Sequence, residues 1–388
     1  MRGASLDHLR TIGVMLAAVL VWLPLAAQAS TAPVPPDIPV ALLVDLNTGQ
    51  RLYAREADRR FMPASVVKVM TAYTAFRLIA DGDISPTTRF QISPELEEEW
   101  SGVGSTMFLK AGERPTFGEL LLGATSVSGN DASVAMALAA TGSVRGWLDL
   151  MNANAAALGM RDTHFGSPNG YPDEGRTFTS AHDLALLGEA VVTRYPGLYS
   201  RYFGHRTMTW RNITQQNHDP VTGRVLGADG MKTGFTNEAG YTFLGSAERD
   251  GRRLIMVLAG APKGKERDDA ARALLEWGFS AFDTRQLAPA GALIGRARVQ
   301  DGSSRHVGLR AIRDVKLALS AGSNPATSVS IRYQGPLLAP IAEGDEVAVL
   351  HVEIEGQPAV DIPLAASTAV EKAGFFRRII NGLAGLIT

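Results

Sequence analysis

Between Ser65 and Ile79 apolar side chains recur every three or four positions, at Val66, Val69, Met70 and Tyr73 with Ala72 and Ala75 between them, which predicts a helix with one buried face. Ahead of it, residues 40–46 and 51–55 flank Asn47-Thr48-Gly49-Gln50, the pattern of a hairpin with an apolar first arm. Helical spacing returns over 120–125, 131–140, 147–158 and 181–192, the last preceded by Thr179 or Ser180 as an N-cap. The period then shortens. Residues 240–248 and 252–258 read as strands joined by Arg249-Asp250-Gly251, whose Asp-Gly pair favours a hairpin turn. A helix over 264–282 follows, ending in an apolar patch at Trp277, Phe279 and Phe282. A hairpin, a run of helices, a second hairpin and a helix predict an α+β fold, with helices packed around an antiparallel sheet.

Near Gln286-Leu287-Ala288-Pro289 the composition shifts. From there to residue 364 the chain is rich in Val, Gly and Ser with short alternating stretches, which predicts a small β-sandwich-like domain over 286–364. At the N-terminus, Arg2 and Arg10 flank a polar start, residues 12–27 are apolar, and Ala27-Gln28-Ala29 resembles a cleavage site. Residues 1–29 therefore read as a signal peptide, leaving a first domain over 30–285 and an exported protein. At the other end, residues 365–388 are expected to form an amphipathic helix lying on a membrane surface. Phe375, Phe376, Ile379, Ile380, Leu383, Leu386 and Ile387 would share one face, with Arg377, Arg378 and Asn381 opposite.

Composition narrows the chemistry. The chain of 388 residues has no cysteine, which excludes disulfides, thiolate metal sites and a cysteine nucleophile. A formal charge of −1 without a basic run gives nucleic-acid binding no electrostatic support. No His-x-x-x-His or His-Glu pair occurs, so no metal site is expected; Gly102-Val103-Gly104 lacks the third glycine of a dinucleotide loop, and no cofactor is expected.

Three short motifs carry the functional reading. Ser65-Val66-Val67-Lys68 puts a hydroxyl and an amine on one helical face, with the lysine embedded in apolar residues. Burial would lower its pKa and make it a base for the serine, a weak nucleophile unaided. Ser128-Gly129-Asn130 lies between two apolar helices, and Lys232-Thr233-Gly234 opens a strand-rich segment. Each exact tripeptide arises about 0.1 times by chance in a chain of this length, so their joint occurrence in this order is informative. Ser128 can relay a proton to a leaving amine, Asn130 can hold a peptide backbone, and Lys232 can attract a terminal carboxylate. Gly234 allows a substrate close to the strand.

In this order the motifs resemble the penicillin-binding protein and serine β-lactamase superfamily. The longer strings narrow the resemblance: Pro63-Ala64-Ser65-Val66-Val67-Lys68-Val69-Met70-Thr71, Ser128-Gly129-Asn130-Asp131-Ala132, Asp229-Gly230-Met231-Lys232-Thr233-Gly234 with Ala239-Gly240-Tyr241, and Leu274-Leu275-Glu276-Trp277-Gly278-Phe279. Together they look like the low-molecular-mass D-alanyl-D-alanine carboxypeptidases, over roughly residues 36–388.

The resemblance implies a transpeptidase-type catalytic domain that trims the last D-alanine from peptidoglycan pentapeptide stems and takes β-lactams as covalent inhibitors. Ser65 would be nucleophile, Lys68 general base, Ser128 proton relay, Asn130 a substrate clamp and Lys232 an electrostatic anchor. Thr233 and Arg267 would bind the terminal carboxylate. The N–H groups of Ser65 and Phe235 would form the oxyanion hole. The C-terminal helix would hold the protein on the periplasmic side of the inner membrane.

Two features depart from the family pattern. Phe235 stands where the family often has histidine, and residues 215–220 lack its usual wording at the rim of the site. A serine β-lactamase, a muropeptide endopeptidase of the same fold and a non-enzymatic peptidoglycan-binding module are the alternatives.

Overall fold

The structure, a computed structural model, describes residues 31–374. Strands β1 (Val40–Asp45) and β2 (Gln50–Arg55) form the first hairpin, and one 3-10 turn (Ala64–Val67) leads into α1 (Lys68–Asp81). Then come α2 (Pro94–Trp100), α3 (Phe117–Ser126), α4 (Asn130–Thr141), α5 (Val144–Ala157), α6 (Ala181–Arg194) and α7 (Pro196–Tyr202). A small hairpin, β3 (Thr207–Trp210) and β4 (Ile213–Gln216), precedes β5 (Ala228–Thr236), β6 (Gly240–Arg249), β7 (Arg252–Ala261) and α8 (Gly264–Ser280).

The main sheet is antiparallel, in the order β2-β1-β7-β6-β5, and is covered on both faces. Successive side chains on a strand point to opposite faces. Accordingly Leu42, Ile255 and Val257 join the large core with α1, α3 and α6, whereas Leu43, Leu254 and Met256 pack with Leu274 and Leu275 of α8. Burial on both faces explains why β7 reads as an almost unbroken apolar run (Leu254-Ile255-Met256-Val257-Leu258). The N-cap of α6 is Ser180, whose hydroxyl accepts from the Asp183 N–H.

The sequence reading does not anticipate α2, α7 or the β3–β4 hairpin. Helix α2 buries only Leu96, so it has no apolar period to detect. It forms because Ser93 caps it, Pro94 starts it and Glu95 and Glu97 favour its N-terminal turn. The hairpin is mostly exposed.

An all-β domain follows. Its strands are β8 (Phe282–Ala288), β9 (Leu293–Gln300), β10 (His306–Ala311), β11 (Val315–Ser320), β12 (Thr327–Arg332), β13 (Leu337–Leu338), β14 (Glu346–Ile354) and β15 (Val360–Ala366). A sheet ordered β12-β14-β15-β10-β9-β13 and the separate pair β11-β8 enclose a core including Leu309, Leu317, Val352 and Leu364.

Two differences from the expected boundaries have physical causes. Strand β8 starts at Phe282 and pairs with β11, so β structure begins four residues before 286; its mostly exposed side chains give no apolar alternation to read. Residues 365–374 are not helical. The strand runs through Ala366, Val370 bridges to Ile341, Lys372 to Gly302, and the Ala373 N–H donates to the Asp301 carbonyl. The apolar positions from Phe375 onward lie outside the described residues. Among the described residues no helix is long and apolar enough to cross a membrane.

The two domains meet at the β2 edge of the main sheet. The buried Gln50 carboxamide accepts from the Ala318 N–H at 2.6 Å and donates to its carbonyl at 3.0 Å, imitating one step of strand pairing. Arg252 reaches the Phe282 carbonyl and Arg313 the Leu46 carbonyl.

Candidate active site

The three motifs converge on one cavity of about 570 Å³, lined by Ser65, Ser128, Asn130, Thr233, Gly234, Phe235 and Arg267 among others. Ser65 sits in the 3-10 turn and Lys68 opens α1, so one helical face carries both. Lys68 is fully buried. Its Nζ lies 2.9 Å from Ser65 Oγ, 2.8 Å from Asn130 Oδ1 and 2.6 Å from the Asn169 carbonyl. Burial, and then the charge of Lys232, hold the Lys68 amine well below its ordinary pKa, with Asp131 opposing.

For a neutral amine, that environment sets the direction of the serine hydrogen bond. Asn130 Oδ1 and the Asn169 carbonyl can only accept, so a neutral amine gives them its two N–H bonds. Its lone pair is then left for the Ser65 hydroxyl. The arrangement satisfies a neutral Lys68 completely.

Ser128 lies on the opposite wall with φ +60°, a left-handed conformation that costs a non-glycine residue roughly 1–3 kcal/mol. Asn130 begins α4, and its Nδ2 donates to the Val103 carbonyl at 3.0 Å, fixing which end of the amide faces Lys68. The neighbouring Asp131 does not cap the helix. Its buried carboxylate accepts from the N–H groups of Met107, Leu109 and Ala132, tying the 104–109 loop to the cavity. Burial raises its pKa against those hydrogen bonds.

Lys232, Thr233, Gly234 and Phe235 lie along β5, the edge strand. Gly234 is required here: a Cβ would stand 2.5 Å from the Pro63 carbonyl oxygen, where β5 packs against the chain entering Ser65. Lys232 is buried beside the cavity, and its Nζ donates to the Thr233 carbonyl at 2.8 Å. Burial and the Arg267 charge push its pKa down to about 7, with Asp219 opposing. Arg267 is buried on α8. It donates to Asp268 and to the Thr242 carbonyl, and its guanidinium lies over the Tyr241 ring.

Several groups in and behind the cavity wall carry no sequence signal. Asn169 acts through its carbonyl, which any residue possesses. Gly170 has φ +74°, and a Cβ there would overlap the carbonyl oxygen of Ala64. His218 falls in the stretch with unfamiliar wording; burial and the charges of Lys232 and Arg267 lower its pKa, so it adds no cation near neutrality. No carboxylate lines this cavity among the described residues. Asp173 is bound instead to the Thr177 N–H and hydroxyl.

The D-alanyl-D-alanine carboxypeptidase family profile matches residues 29–263 of the chain. The chain belongs to the D-alanyl-D-alanine carboxypeptidase family. A second profile, the C-terminal domain of penicillin-binding protein 5, matches residues 282–372. Among curated relatives, D-alanyl-D-alanine carboxypeptidase DacD of Salmonella typhimurium is 34% identical over 368 residues, covering 92% of this chain and 93% of its own. The DacA carboxypeptidase of Escherichia coli K12 is 32% identical over 345 residues, covering 88% and 85%. Penicillin-binding protein 5 from Haemophilus influenzae superposes with a TM-score of 0.76 at 30% identity, over 87% of this chain and 99% of that one. This family membership places the chain among serine-type carboxypeptidase hydrolases and disfavours the lactamase and non-enzymatic alternatives.

Proposed function

We propose that the chain is a serine-type D-alanyl-D-alanine carboxypeptidase that removes the terminal D-alanine from peptidoglycan stems through an acyl-enzyme on Ser65. One observation carries the assignment of roles: the buried, desolvated Lys68 amine within 2.9 Å of Ser65 Oγ, with its other two positions occupied by acceptors. Ser65 Oγ attacks the carbonyl of the penultimate D-alanine as its proton passes to Lys68. The N–H groups of Ser65 and Phe235 receive the developing oxyanion. Collapse breaks the carbon–nitrogen bond, Ser128 passes a proton to the departing amine, and water then hydrolyses the ester. Lys232, Thr233 and Arg267 hold the terminal carboxylate, Asn130 clamps the substrate backbone, and Gly234 lets it approach β5. A β-lactam enters the same path but leaves no small amine to depart, so its adduct persists. That no carboxylate among the described residues lines the cavity supports slow release of that adduct.

The test is intact-mass measurement after exposure to a penicillin. A mass increase that decays slowly is expected for the wild type and none for Ser65→Ala, together with loss of D-alanine release. Labelling of Ser65→Ala at another residue would remove Ser65 from the mechanism, and rapid loss of the wild-type adduct would favour a lactamase.

We further propose that the protein is exported and acts from the outer face of the inner membrane. The support is the N-terminal leader pattern and the apolar positions from Phe375 to Ile387. A deletion must begin at residue 375, because Val370, Lys372 and Ala373 are bound into the β domain. Removing residues 375–388 is expected to release the protein from membranes with its activity on small peptides intact; continued sedimentation with membranes would overturn the anchor.

A further inference from the structure

Strand β5 carries groups that the proposed chemistry needs at fixed positions: the Lys232 ammonium, the Thr233 hydroxyl and the Phe235 N–H. Yet β5 is an edge strand, paired with β6 alone. Its ladder also contains a β-bulge. Ala228 faces Ala247 and Gly230 faces Ser246, so two steps on β5 match one on β6, and Asp229 is the extra residue. Were the extra residue absorbed beyond Thr233 instead, the pairing upstream would slip by one. Lys232 and Thr233 would then each take the other face of the sheet. The bulge has to be held at Asp229.

The Asp229 carboxylate is gripped from two other elements. Tyr199 of α7 donates its hydroxyl to Oδ1 at 2.9 Å, with the Asp229 carbonyl oxygen 3.0 Å away. Arg253 of β7 donates from Nη1 to Oδ2 at 2.8 Å. The same nitrogen donates at 2.6 Å to Oγ of Ser246, which lies across the ladder from Gly230. One guanidinium thus ties the bulged strand to the strand it pairs with, and Glu248 fixes its Nε at 2.9 Å. Tyr199 is buried. Burial, and then the Asp229 charge, hold its pKa well above the ordinary value, so the hydroxyl keeps the proton it donates. Glycine at 230 leaves room for that hydroxyl, since a Cβ there would lie 2.9 Å from it.

We propose that Asp229 is a positioning residue for the reaction: with Tyr199 and Arg253 it locks the register of β5 and so sets where Lys232, Thr233 and the Phe235 N–H meet the substrate. The inference rests on the carboxypeptidase roles proposed above for those three groups. Asp229 does not itself line the catalytic cavity. It acts from three residues away from Lys232, about 10 Å along the strand. The lock also gives α7 a purpose. That short helix, which the sequence reading does not anticipate, buries Tyr199 and Tyr202 and delivers the Tyr199 hydroxyl to the bulge.

The experiment follows kcat/KM for D-alanine release, and the rate of acylation by a penicillin, against pH in the full chain and its variants. Asp229→Ala should lower both about 10²-fold, the effect of misplacing reacting groups by about 1 Å. Asp229→Asn, which keeps an acceptor for Tyr199, should recover part of that loss. Tyr199→Phe removes one hydroxyl and no charge, and should cost about tenfold, part of the same misplacement. The alkaline limb, set by loss of the Lys232 charge at about 7, should move up by about half a unit or more in Tyr199→Phe and Asp229→Ala, because a released strand exposes the amine to water. Removal of the Asp229 charge alone would move the limb down, so an upward shift reports movement of the strand. The double variant Tyr199→Phe/Asp229→Ala should be no slower than Asp229→Ala, since both changes act through one lock. An unmoved limb in either variant, or losses that multiply in the double variant, would overturn the lock. If Asp229→Ala shows no cooperative urea unfolding, the limbs of Tyr199→Phe and Asp229→Asn decide in its place. A wild type that is acylated by penicillin but releases no D-alanine would overturn the carboxypeptidase reading, and the lock would then stand or fall on the acylation rates.

Discussion

Lys68 and Lys232 are two buried amines with opposite requirements. In the proposed mechanism Lys68 must be neutral to take the Ser65 proton, whereas Lys232 must be charged to attract a carboxylate. Burial lowers both, and the Lys232 charge lowers Lys68 further. Acylation by an anionic substrate should therefore rise as Lys68 loses its proton and fall as Lys232 loses its own near 7. In Lys232→Arg, the second group stays charged past pH ~12, so the alkaline limb of kcat/KM should disappear. Persistence of that limb would assign it to another group. Lys68→Arg preserves charge but provides no neutral base, and its acylation rate should fall by at least ~10²-fold. Near-normal acylation would reduce Lys68 to positioning Ser65. Stability carries the same signature. Between about 7 and 10.5 the folded chain binds fewer protons at Lys232 than the unfolded chain, so stability should rise with pH across that window. Urea midpoints of wild type and Lys232→Met, compared at both ends of the window, measure the contribution.

At the scale of elements, the site is a junction of a turn, a loop and an edge strand. The motifs mark side chains whose chemistry limits substitution, and the fold brings all three motifs to one cavity. What the sequence conceals is the backbone. The carbonyl of Asn169 holds Lys68, yet nothing in a side chain announces a carbonyl's role. Gly170 is as unobtrusive as any loop glycine until the fold sets it against Ala64. Apolar spacing revealed α1 and α6 because their buried positions include apolar residues three or four apart, although α1 is buried all round from Lys68 to Phe76. It missed α2 because Leu96 is its only buried side chain. A prediction follows for the loop. In Gly170→Ala the new methyl group overlaps the Ala64 carbonyl and must displace the turn carrying Ser65, as well as adopting φ +74°. Acylation should drop about 10²-fold, the effect of misplacing a nucleophile by about 1 Å. Stability should fall by roughly 1–3 kcal/mol. Unchanged acylation would mean that the loop yields instead of the turn.

For the molecule as a whole, the β domain docks at β2, and the catalytic strand β5 is the opposite edge of the same sheet. Four inter-strand spacings of about 4.8 Å put roughly 19 Å between them. Gln50→Ala removes the side-chain partner of both the Ala318 N–H and the Ala318 carbonyl, a loss of roughly 1–3 kcal/mol for each unsatisfied group. Proteolysis between the domains should quicken while penicillin acylation stays unchanged; a matching fall in acylation would mean that docking reaches the active site. The outer edge of β5 has a further consequence. An unpaired row of N–H and C=O groups is a template on which another copy's strand could add, the usual route to sheet-driven aggregation. Here the edge faces the cavity walls formed by Gly104-Ser105 and Gly170-Tyr171-Pro172. A single extended chain fits between such walls, whereas a strand already joined to its own sheet does not. The walls along this edge thus guard against self-association.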